Sequence, residues 1–371
     1  MPSLSETIAR LSKIRALAGT GAPFATPDRL SDLPNFGSNP GQLRARTYIP
    51  EGLPTGASLV VVLHGCTQNA AAYDAGSGWS QLADRHGFAL LFPEQTRANN
   101  PNLCFNWFQP EDVRRDAGEP LSIRQMIEAI VAAHQIDPQR IFVTGLSAGG
   151  AMTSVMLATY PEVFAGGAII AGLPYGTAGS MPEAFDRMRG HGGAKGEALA
   201  ALVRAASGHS GPWPTISIWH GTADQTVSRA NAEAIIAQWR PLHGLGTEPT
   251  RQDLVDTYPH RIWCDASGRA LIEDYEITGL AHGTPLATRG EGAVGEAMPH
   301  MLEAGISSTR HIAASWGIAG EVEAEAALPA VRPEMPTQFT RPSPTRAAPS
   351  ATPAGVGKII EDALRSAGLM R

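Results

Sequence analysis

The feature that most constrains this chain is an alternation of two patterns. The runs SLVVVLHG, FALLFPEQ, RIFVTG, GGAIIAG and TISIWHG are short, apolar and rich in β-branched residues. Glycine, proline or polar turn residues bound each of them, as expected of strands buried on both faces. Between several of them lie helical patterns such as LSIRQMIEAIVAAHQI and SRANAEAIIAQWRPL. Strand and helix in alternation imply right-handed crossovers, hence a mostly parallel central sheet with helices on both faces, an α/β fold. RARTYIP alternates like an exposed strand, and RIWCDASGRALIEDYEITG reads as two strands joined at a Ser-Gly turn.

This alternation occupies residues 39–318. Residues 1–38 read as an amphipathic helix and a connector, residues 319–354 as a Pro/Ala/Ser/Thr-rich linker, and residues 355–371 as a second amphipathic helix. In that last helix Val356, Ile359, Ile360 and Ala363 share one stripe, which is expected to dock on the body or on a neighbour. The N-terminus has no uninterrupted apolar core of a signal peptide, so the chain reads as soluble and cytoplasmic. No run is long enough for a membrane span. A formal net charge of −6 argues against a nucleic-acid partner and leaves no polybasic membrane patch. Three cysteines, Cys66, Cys104 and Cys264, allow one bridge and a free thiol, or three free thiols.

The stretch VTGLSAGGAM carries the chemistry. Gly145-Leu146-Ser147-Ala148-Gly149 matches G-x-S-x-G, with a strand pattern before it and a helix pattern, AMTSVMLATYPEVF, after it. That context marks Ser147 as a nucleophile on a sharp strand-to-helix turn, where the neighbouring backbone leaves no room for Cβ atoms. A serine needs a base and an orienting acid, which in such a fold follow it in the chain on later strand-end loops. Asp224 in WHGTADQTV is the candidate acid; its other reading is a cap for the next helix, for which Ser228 is better placed. His282 in GLAHGTPL, in a small-residue loop after a strand, is the candidate base. His64 and His220, directly before glycines, are expected to shape turns, while His300 and His311 read as surface or helix positions. Oxyanion donors are expected from the backbone of Ala148 and of Cys66 in LHGCTQNA, with the Thr67 N–H as a further candidate donor and Thr67 as a contact to substrate.

Taken together, LHGCTQNA, CFNWF, GLSAGGAMTSVMLATYPEVFAG, WHGTADQTV and GLAHGTPL resemble, in order, the PHB depolymerase family of α/β-hydrolase esterases, over roughly residues 42–290. That family includes poly(3-hydroxybutyrate) depolymerases and related feruloyl and acetylxylan esterases. The resemblance implies ester hydrolysis through an acyl-enzyme on Ser147, with Asp224 and His282 completing a triad, Cys66 and Ala148 at the oxyanion site, and no metal or organic cofactor. It implies poly- or oligo(3-hydroxybutyrate)-type esters as substrates, with plant-wall feruloyl or acetyl esters as the alternative. A non-catalytic binding protein on the same fold is a third reading. Cys66 and Cys104 lie in two motifs expected near the site, so a disulfide between them is a hypothesis. Trp107 in CFNWF is either an aromatic wall for the acyl group or a core residue. Leu146 and Gly283 stand where tannase-like members carry cysteines, which sets the chain apart from them. Many members are exported, which makes an extracellular location the alternative to the cytoplasm.

Overall fold

Every apolar run marked as a strand lies in one central sheet. The computed structural model describes residues 28–320. The two amphipathic terminal helices and the linker expected from the sequence lie outside the described residues, apart from the end of the first connector and the first two residues of the linker.

In chain order the strands are β1 (Ser31–Asp32), β2 (Arg44–Tyr48), β3 (Leu59–Leu63), β4 (Ala89–Glu94), β5 (Ile141–Leu146), β6 (Gly166–Ile170), β7 (Thr215–Gly221), β8 (Arg251–Val255), β9 (Tyr258–Cys264), β10 (Ala270–Ile277), β11 (Thr284–Leu286) and β12 (Met301–Glu303). Ten of them form a sheet in the order β1-β2-β4-β3-β5-β6-β7-β10-β9-β8, and β11 pairs with β12 separately. The six strands from β4 to β10 run parallel, while β1, β2, β9 and β8 join antiparallel at the two ends. The expected hairpin is β9–β10. Beyond it the chain adds β8, which pairs with β9.

Helices cover both faces, and the strand residues show why. The helices are α1 (Ala70–Ser77), α2 (Trp79–His86), α3 (Gly118–His134), α4 (Ala148–Thr159), α5 (Met181–Met188), α6 (Glu197–Ala206), α7 (Ala230–Trp239) and α8 (Ser308–Ser315). In β3, Leu59, Val61 and Leu63 pack with Ile123 and Met126 of α3, Met152 of α4 and Ile235 of α7. The alternate residues Val60 and Val62 pack with Tyr73 of α1, Trp79 of α2 and Ile312 of α8. Period-two side chains on a doubly covered sheet must all be apolar, which is why these strands read as continuous runs rather than alternating ones. All residues of α4 are buried, so the helix after Ser147 is wedged between the sheet and its neighbours.

RARTYIP differs from expectation. β2 is not an exposed strand, since it lies between β1 and β4, and Ala45, Arg46 and Thr47 are buried. The Arg46 guanidinium enters the fold because it is paired with Asp28 and Asp32 (2.9 and 3.0 Å) and donates to the Leu30 carbonyl (2.6 Å). A buried charge persists only with partners of this kind.

A second such arrangement ties α7 to the sheet. Asp274 on β10 has no solvent exposure and accepts from Arg229, just before α7, at 2.6 Å and from Arg261 on β9 at 2.8 Å. Asp274→Ala removes the buried carboxylate that both guanidiniums share and leaves them the more exposed Glu233, with Glu276 beside Arg229. A loss of about 3 kcal/mol is expected, read as a lower Tm in thermal unfolding.

Candidate active site

β5 stops at Leu146 and α4 starts at Ala148, so Ser147 alone makes the turn. Its backbone has φ 59° and ψ −116°. That is a strained conformation for a residue with a side chain, and such strain persists only where the surroundings enforce it. Here the Ser147 N–H donates to the Ile170 carbonyl of β6 (2.9 Å) and its carbonyl accepts the Ala151 N–H (2.8 Å). The flanking glycines are obligatory. A Cβ on Gly149 would fall 2.2 Å from the Leu63 carbonyl oxygen, and one on Gly145 would fall 2.5 Å from the Gly149 backbone. The expectation that the turn excludes Cβ atoms therefore has a specific cause, the end of β3 crossing beside it.

The loops after β7 and β10 bring the other two residues to this turn. They are laced together by backbone bonds from Thr222 N–H to Ile277 O (3.1 Å) and from Ala223 N–H to Leu280 O (3.0 Å). Asp224 is bent back into its own loop, where its Oδ1 accepts the Thr226 and Val227 N–H groups (2.8 and 2.9 Å). Ser228 Oγ accepts the Ala230 N–H at the start of α7, as expected (3.3 Å). Asp224 Oδ2 is thereby left for His282, whose Nδ1–H donates to it at 2.7 Å. A carboxylate only accepts, so this bond fixes the proton on Nδ1 and leaves Nε2 as an acceptor. The Ser147 hydroxyl donates to that nitrogen at 2.9 Å. Burial alone would raise the Asp224 carboxyl, but the hydrogen bond from His282, the charge of that ring when protonated, and the Val227 amide outweigh it and hold the group below its ordinary range.

The expected oxyanion donors differ in availability. Ala148 is the first residue of α4, and a leading helix amide has no partner within the helix. The Thr67 N–H is not free, because it donates to the Asn102 carbonyl (2.7 Å); the residue itself is exposed. Of the two candidate amides in the β3–α1 loop, that of Cys66 is the one left. His64 governs its direction. The buried ring accepts the Gln95 N–H at Nε2 (3.1 Å) and so donates from Nδ1 to the Gly65 carbonyl (2.8 Å). That carbonyl belongs to the planar peptide that carries the Cys66 N–H, and the two groups point in opposite directions. Gln95 is held in turn by the wholly buried Glu119, which accepts from Gln95 Nε2 (2.6 Å), Asn99 Nδ2 (3.2 Å) and the Asn106 N–H (2.9 Å). Burial, together with the nearby Asp112 charge, pushes the Glu119 carboxyl well above the ordinary range.

Cys66 and Cys104 form a disulfide, with Cα atoms 4.2 Å apart, and Cys264 is a free thiol. The bridge fastens the β3–α1 loop to the CFNWF segment. Trp107 of that segment is 8% exposed, packs in the core cluster and stands edge-on to Phe108. It is thus largely a core residue. His220 turns its loop as expected, with Nε2 donating to the Val227 carbonyl (2.8 Å). His300, expected at the surface, instead stands beside His282, with ring centroids 5.9 Å apart. A cavity of about 390 Å³, lined by Arg140, Thr215, Arg269 and Trp316, opens at the opposite ends of the strands and touches none of these residues.

The chain and its fold are similar to those of known proteins. The chain is 47% identical over 293 residues to poly(3-hydroxyalkanoate) depolymerase C of Paucimonas lemoignei, covering 78% of this chain and 70% of that one. It is 29% identical to feruloyl esterase B of Talaromyces funiculosus, over 71% of this chain and 75% of the relative. The acetyl xylan esterase structure from Aspergillus awamori matches with a TM-score of 0.63 at 27% identity, covering 68% of this chain and 93% of that one. Fold and relatives define a serine esterase of the α/β-hydrolase class, an enzyme that cleaves carboxylic esters. Within that class the chain belongs to the PHB depolymerase esterase family, whose model matches residues 44–252.

The disulfide closes a loop between positions 38 residues apart. By the chain-entropy argument Cys104→Ser costs about 4 kcal/mol. Its denaturation midpoint should fall to that of the wild type treated with reductant, and a midpoint unchanged by either would remove the bridge from the account of stability.

Proposed function

We propose that Ser147 is the nucleophile, His282 the general base and Asp224 the orienting acid of a carboxylic ester hydrolase acting on poly- or oligo(3-hydroxybutyrate)-type esters. The observation that carries this reading is the unbroken hydrogen-bonded line from Asp224 Oδ2 through His282 to Ser147 Oγ, at 2.7 and 2.9 Å. As Ser147 Oγ attacks the ester carbonyl carbon, His282 Nε2 takes its proton and Asp224 stabilises the imidazolium. The amides of Ala148 and Cys66 then hold the tetrahedral oxyanion. Collapse breaks the bond to the alcohol, which leaves with the proton from Nε2. Water, deprotonated by His282, attacks the acyl-enzyme in the same way and releases the carboxylic acid.

The preference for hydroxyalkanoate esters is supported by the 47% identity to a protein named a poly(3-hydroxyalkanoate) depolymerase. The fold match to an acetyl xylan esterase favours a second reading, in which the same residues remove acyl groups from plant-wall polysaccharides. Among the described residues no helix is long and apolar enough to cross a membrane. The Cys66–Cys104 disulfide supports an oxidising compartment rather than the cytoplasm suggested by the N-terminal sequence.

Labelling with a fluorophosphonate should modify the wild type and fail on Ser147→Ala; wild type that stays unlabelled while folded sinks the assignment. Asp224→Asn should label slowly and lose about 10⁴-fold in kcat. Hydroxybutyrate oligomers should be cleaved faster than methyl ferulate or acetylated xylan. The opposite ranking would establish the plant-wall reading with the same three residues.

A further inference from the structure

His300 is 18 residues past His282 in the chain, yet the pairing of β11 with β12 brings it directly against the base loop. Two bonds join them. The Thr284 N–H donates to the His300 carbonyl (2.8 Å), and His300 Nδ1 lies 3.2 Å from the His282 carbonyl oxygen. A carbonyl only accepts, so that ring nitrogen carries the proton. Between these two points lies Gly283, where a Cβ would fall 2.8 Å from the His300 carbonyl. The two backbones are therefore as close as glycine permits. His300 itself has φ 65°, in the left-handed region that side-chain-bearing residues seldom occupy. Its half-buried ring stands nearly perpendicular to that of His282, at 76°.

These contacts matter because the His282 side chain has little freedom of its own. With Nδ1 tied to Asp224, the distance from Nε2 to Ser147 Oγ is set by where the main chain of residues 281–284 sits. On one side that chain is fixed by the Ala223–Leu280 bond, and on the other by His300. We propose that His300 is a positioning residue for His282: its Nδ1–H holds the His282 carbonyl, and so keeps Nε2 within reach of the serine through both halves of the reaction. The strained backbone at His300 is what aims its ring at that carbonyl. This inference rests on the proposed role of His282 as base.

The left-handed backbone permits a clean separation of strain from hydrogen bonding. Asn tolerates positive φ and carries an amide donor at the position of Nδ1, whereas Gly tolerates it and carries none. With p-nitrophenyl butyrate, His300→Asn is expected to keep kcat within about twofold of the wild type, and His300→Gly to lose about tenfold in kcat with KM within about twofold. Rates are referred to sites titrated with fluorophosphonate, so a loss of folded protein does not imitate the effect. The proposal is overturned if His300→Gly keeps wild-type kcat per titrated site, if His300→Asn falls as far as His300→Gly, or if only KM changes. Wild type that neither labels nor turns over ester would overturn the role of His282, and this inference with it.

Discussion

The close crossing of β3 and the turn at Ser147 is the constraint on which the site depends. The Leu63 and His64 carbonyls run so near Gly149 that the turn between β5 and α4 has only one way to be made. Strain at Ser147 is sustained because both its backbone groups are bonded, one to β6 and one within α4, and because α4 is buried along its whole length. The same crossing brings the β3–α1 loop beside the serine, and with it the Cys66 amide. The proposed nucleophile and the proposed oxyanion donor are thus set by one backbone contact.

Around that contact, polar groups in the interior keep loops rather than strands in place. Glu119 gathers Gln95, Asn99 and Asn106, and Gln95 passes the constraint to His64 and the Gly65–Cys66 peptide. Asp274 does comparable work on the other flank, fastening the start of α7 to β9 and β10 below the Asp224 loop. The loops that meet at Ser147 have few apolar side chains with which to pack. Hydrogen-bonded buried groups replace that packing, and because each unsatisfied donor is costly, they specify one geometry.

Much of this was legible in the sequence, for a physical reason. Strands buried on both faces must be continuously apolar, so the parallel centre of the sheet announces itself, and the G-x-S-x-G glycines are demanded by the crossing. Asp224 and His282 could be singled out because each follows a strand in a small-residue loop, and the structure brings both to Ser147. What local pattern missed depends on distant partners. Arg46 looks like a surface residue until Asp28 and Asp32 are seen to neutralise it. Thr67 looks like an available donor until Asn102 is brought over it. His300 acquires its place only through the short β11–β12 pairing, which no periodicity of three residues could reveal.

The disulfide has one more consequence. At Cys66 the side chain and the main chain answer to different demands: sulfur fastens a loop, while the proposed work in the reaction falls to the N–H that every residue but proline possesses. The identity of this position is therefore tied to its partner at Cys104 rather than to the ester. Both cysteines could be exchanged together in a lineage that stiffens the loop by other means, and the reaction chemistry would pass through the change intact.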